Sequence, residues 1–109
     1  MKLKEKIIRS IGRSTKAYDL YKNDKMYYQA LRIFKANTKV YELLVQFSYS
    51  CDEAIVQEVY HFIFHLEDWF EQFNKFASNP TQLEDVFVFE RLKNSIPFPS
   101  DFINKLHSL

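Results

Sequence analysis

Glycine occurs once and proline three times in this 109-residue chain. All-β sandwiches and barrels turn every 8–12 residues or so and use Gly and Pro to do it, so their scarcity favours helices. The single cysteine, Cys51, excludes an internal disulfide and a zinc site built from cysteines, and it suits a reducing compartment. No apolar run approaches the roughly 20 residues that span a bilayer. Residues 1–16 are basic but have no uninterrupted apolar stretch of the kind a signal peptide carries. A soluble, cytoplasmic protein without a membrane partner is the expectation.

Catalytic signatures are equally sparse. A chain with one Gly can hardly build a glycine-rich phosphate cradle, and neither a P-loop nor a GxSxG elbow occurs. The acidic pairs Glu67-Asp68 and Glu84-Asp85 are adjacent in sequence and therefore diverge on a helix. The sequence thus predicts neither an enzyme nor a bound cofactor.

Hydrophobic residues make up 47% of the chain and aromatics 17%, a composition that disordered segments do not have. The length suits one domain, residues 1–109, around one core. The stretch 50–78 organises it. Ile55, Val59, Phe62, Ile63, Leu66, Trp69, Phe70 and Phe73 recur at three- and four-residue steps, which at 3.6 residues per turn line one helix face. Ser50 and Glu53 fit a capping box at its start, and Asn79-Pro80 ends it.

The remaining segments follow the same logic. From Lys2 to Tyr21, the residues Leu3, Ile7, Ile11, Tyr18 and Tyr21 form an apolar stripe with Ser14 in line, and Gly12 marks a kink or an early end. A second helix is expected between Asp24, as N-cap, and Tyr49, with Tyr27, Ala30, Leu31, Phe34, Tyr41 and Val45 on its buried face. Asn37-Thr38 is its expected irregularity. Beyond Val40 its apolar residues spread all round, which suggests enclosure by other elements. A second capping box, Thr81 with Glu84, opens a segment to about Asn94; the strand-prone run Val86, Phe87, Val88, Phe89 is read as helix because a lone strand would have no partner. Ser100 and Asp101 cap a short last helix. The fold class is therefore all-α: a small antiparallel bundle of four main helices plus a short C-terminal one, with 50–78 at its centre. Its expected core includes Ile7, Ile11, Phe34, Tyr41, Val59, Phe62, Leu66, Phe70, Phe73 and Phe87.

Charge is divided along the chain. Residues 1–39 carry eleven Lys and Arg against three acids, a net +8, whereas residues 40–109 carry four against eleven, a net −7. On a helical projection Lys2, Arg9, Arg13 and Lys16 line one outer face, and Lys25, Arg32 and Lys39 line another. Two such stripes side by side could follow a phosphate backbone, so nucleic acid is the alternative partner; the plainer reading is that they are solvated faces.

Two features of the 50–78 helix bear on function. Glu58, His61, His65 and Asp68 lie one turn apart in succession, a spacing compatible with metal ligation. A second Glu-x-x-His is absent and HExxH is absent, so the preferred reading of the two histidines is a solvated or hydrogen-bonded pair, and metal is only the minority candidate for the quartet. Tyr60 and Phe64 lie on the side opposite Leu66, among Glu53, Gln57, Glu67 and Glu71. Such a second aromatic face is either covered by the rest of the chain or offered to a partner. The leading expectation is a non-catalytic protein-interaction module (an adaptor, inhibitor or regulatory subunit). It would dock a protein, in the simplest version a second copy of itself, through Glu53, Tyr60, Phe64, Glu67 and Glu71.

Overall fold

The structure, a computed structural model, describes residues 2–23, 27–78 and 100–108. Among the described residues it is all-helical: α1 (Leu3–Asn23), α2 (Tyr27–Ser48), α3 (Glu53–Ser78) and α4 (Ser100–Ser108), with no strand. The expected helix at 81–94, the choice at 86–89, Phe87, the Asp24 cap and the Asn79-Pro80 stop lie outside the described residues.

α1 runs through Gly12 without a break. The magnitudes explain why: an interior Gly costs roughly 1 kcal/mol against Ala. Burying a side chain such as Ile7 or Ile11, which are 0% and 2% exposed, contributes about 1.5–3 kcal/mol each. Ser14, Tyr18 and Tyr21 are buried on the same face, while Leu3 packs at its edge.

α2 is continuous through Asn37 and Thr38, contrary to the irregularity the sequence suggests. The Thr38 hydroxyl is accommodated by donating to the Phe34 carbonyl at 2.8 Å, a bond within the helix. Asn37 is drawn inward, where its Oδ1 accepts from the buried Ser14 hydroxyl of α1. The buried face is also rotated from the expected one. Ala30, Ile33, Asn37, Val40, Leu44 and Phe47 form the fully inward line, whereas Leu31 is exposed and Phe34, Tyr41 and Val45 are half-buried. α2 serves two neighbours, so a single stripe could not describe it.

Those neighbours are α1, its most extensive partner, and α3. Among the described helices, α2 is the one that packs on both other long helices, and any packing of α3 against 81–94 lies outside the described residues. Ser14 and Asn37 lie at similar distances from the short 24–26 link, so α1 and α2 run antiparallel. α3 is antiparallel to α2 as well: Phe34 packs on Phe73 at 4.8 Å and on Phe70 at 5.5 Å, and one helical stretch on, Tyr41 meets Phe70 at 5.7 Å. Phe70 is half-buried in this seam. Trp69, fully buried, stacks on Phe73 at 5.3 Å.

α3 starts two residues later than its capping box implies. Asp52 is the N-cap: its side chain accepts from the Ala54 amide at 3.2 Å, and its carbonyl accepts the first helical bonds from Ile55 and Val56. Ser50 is held instead in the preceding turn, where its amide and that of Cys51 both donate to the Phe47 carbonyl. α4 then lies along α1 and closes against α3, with Phe102 on Phe62 at 4.4 Å and Lys105 paired with Glu58. Both charged partners of that pair are well exposed, so Phe102 and Leu106, 1% and 0% exposed, are what hold α4.

Candidate interaction surface

The inward face of α3 is complete: Ile55, Val59, Phe62, Ile63, Leu66, Trp69 and Phe73 are all buried. The period that puts them there turns Glu53, Tyr60, Phe64, Glu67 and Glu71 outward, and all five are exposed. Phe64 is 64% accessible and Tyr60 41%. An aromatic ring left this open gains much less from burial than its neighbours on the other face.

Glu67 is not a free carboxylate on that face. It accepts a hydrogen bond from the Tyr41 hydroxyl at 2.9 Å, which fastens the edge of the α3 surface to α2. The bond, with the carboxylate charge and partial burial behind it, raises the Tyr41 phenol above its ordinary value. Tyr49, in the turn after α2, is 87% exposed and was not among the sequence candidates. Its position at the end of a helical segment made it read as the last helical residue; the break after Ser48 is what frees it.

The basic candidates separate. Lys2 just ahead of α1, Arg9, Arg13 and Lys16 of α1, and Arg32 and Lys39 of α2 are all exposed, and Lys25 lies outside the described residues. Arg13 and Lys39 come together at a groove of about 380 Å³ between α1 and α2, joined by Lys35 and by Ser10, Thr38 and Glu42. Lys35 was not placed in either stripe, yet it sits four residues before Lys39 and so one turn away on the same side. Arg9 faces elsewhere, lining a shallower hollow with Lys4, Glu5, Ile8 and His107. Arg32 reaches over the Tyr28 ring, its guanidinium carbon 6.0 Å from the centroid.

The four candidate metal ligands also separate. Glu58 is engaged by Lys105, and Asp68 stays exposed. His61 and His65 do meet, Nε2 to Nε2 at 3.0 Å. Among the described residues no group of three or more His, Cys, Asp or Glu gathers to hold a metal. Cys51 is half-buried, and burial holds its thiol above the usual range, so its position before a helix start does not activate it. No described helix is long and apolar enough to cross a membrane.

Comparison with protein families, curated proteins and solved structures finds no match for this chain. The functional reading therefore stands on the surface itself.

Proposed function

We propose that this chain is a non-catalytic helical interaction module, an adaptor, inhibitor or regulatory subunit, that docks a protein through the outer face of α3. One observation carries the reading: Phe64 and Tyr60 remain exposed, 64% and 41%, on a helix whose opposite face is fully packed. Large aromatics are the commonest anchors of interfaces, because they fill pockets at little conformational cost. Glu53, Glu67 and Glu71 form the polar rim, which sets orientation and association rate more than affinity. The complementary surface is apolar and basic. The α1–α2 hairpin of a second copy, with Arg9, Arg13 and Arg32 exposed, has the required charge, so a homodimer is the simplest assembly. The same proposal takes residues 81–94 as a fourth main helix completing the bundle.

Light scattering and sedimentation on the purified chain test the homodimer, and capture with the chain as bait tests a different protein partner. Tyr60→Ala with Phe64→Ala is expected to abolish association while leaving the helical circular dichroism signal and the stability within about 0.5 kcal/mol, as for exposed positions generally. If the double variant unfolds, or if it associates like the parent chain, the interface reading is wrong.

A second reading, nucleic-acid binding by residues 1–39, is favoured by the convergence of Arg13, Lys35 and Lys39 on one groove. Each phosphate neutralised there would release counterions, so binding should weaken steeply with salt. An oligonucleotide that shows no shift at low salt, or equal shifts with Arg13→Glu and Lys39→Glu, rules it out.

A further inference from the structure

We propose that His61 and His65 form a two-point chelate for a single first-row divalent cation of the kind that prefers imidazole, with zinc as the reference ion. The two histidines are one helical turn apart on α3, His61 exposed and His65 half-buried, so the pair is open to ions from solution. Their Nε2 atoms are 3.0 Å apart, and the ring centroids are 4.3 Å apart at 73°. Two imidazole nitrogens bound at roughly 2.0–2.1 Å to one metal in adjacent positions are themselves about 2.9–3.4 Å apart. The pair is therefore already at the separation that one ion requires.

Without metal, the same distance is a hydrogen bond in which one Nε2–H donates to the other ring's Nε2 lone pair. Binding needs both Nε2 lone pairs. The donor ring therefore moves its proton through water to its own Nδ1, and the cation binds to one side of the line between the two nitrogens, within bonding distance of each. Glu58 is not a ligand, because Lys105 occupies it, and no third His, Cys, Asp or Glu joins the pair among the described residues. Water would fill the remaining positions, which makes the site exchangeable rather than structural.

The test is titration of the untagged full-length chain with Zn²⁺ by calorimetry at neutral pH. One equivalent should bind. His61→Ala and His65→Ala should each weaken it by roughly tenfold or more, since the second nitrogen no longer binds intramolecularly. His107→Ala and Glu58→Gln should leave affinity within about twofold, and Mg²⁺, which prefers oxygen ligands, should not bind. Both histidines are away from the core, and circular dichroism checks that the variants stay folded. Electron paramagnetic resonance of the Cu²⁺-loaded chain gives a readout independent of affinity, with coupling to two imidazole nitrogens in the parent and one in each alanine variant. The proposal is overturned if 1 mM Zn²⁺ leaves the chain unliganded, if both alanine variants bind like the parent, or if Mg²⁺ competes equally.

Discussion

Ser14 and Asn37 are the residues whose roles the linear pattern hides. Each is polar, each is 0% exposed, and they meet across the α1–α2 seam. A buried hydrogen bond contributes modestly when made, but losing one partner strands the other at about 1–3 kcal/mol. Ser14→Ala should therefore destabilise the fold by about that amount in urea melts. Adding Asn37→Leu should recover part of the loss, because neither half of the Ser14–Asn37 pair is then stranded, while the buried Tyr18 phenol loses one of its two neighbours. If the double variant loses the sum of the two single losses, the pair does not act as a unit. The same residue-level reasoning separates aromatics by position: Leu66 and Trp69 are fully buried, whereas Phe64, between them and Tyr60 in sequence, is not.

At the scale of the helix, the informative sites are ends and interruptions. Two residues compete for the start of α3, and the amide bonds assign the role to Asp52. Asp52→Ala should cost about 1 kcal/mol, and Ser50→Ala should change stability by less than about 0.5 kcal/mol. Thermal melts of both variants distinguish the caps, and the reverse ranking would restore the Ser50 box. Gly12 is exposed in mid-helix, and a Cβ added there meets nothing within 4 Å. Gly12→Ala should accordingly stabilise the chain by about 0.5–1 kcal/mol. A loss of stability on that substitution would mean that the glycine serves some contact beyond its helix.

Across the whole molecule, Tyr18 of α1 stands where three helices meet, its phenol beside Asn37 of α2 and Trp69 of α3. Burial raises its ionisation well above the ordinary value of 10.0, more than those two hydrogen-bonding neighbours lower it. A raised folded-state value means the stability is fully present below pH 10 and is lost as pH climbs beyond it, because only the unfolded chain ionises freely. Tyr18→Phe should cost about 1 kcal/mol at pH 7 and progressively less above pH 10. Melting curves of both chains from pH 8 to 11 check this, and a gap that stays constant with pH would place the alkaline loss elsewhere. All four described helices, their ends to within about three residues, and the inward face of α3 were legible in the sequence, because caps and the 3.6-residue period of apolar side chains are local properties. So was the outward placement of Tyr60 and Phe64, which follows from the same period read on the other side. The rest depended on which helix lies beside which. α2 packs on two neighbours, so its buried face is the union of two stripes, and Ile33 and Val40 are recognisable as core only once α1 is in place. Asn37 signalled a break by itself and became a core residue because Ser14, twenty-three positions away, supplied its partner. The meeting of Arg13 with Lys35 and Lys39, and the loss of Glu58 to Lys105, have the same cause: long-range charge placement is set by helix packing, and no local pattern encodes it.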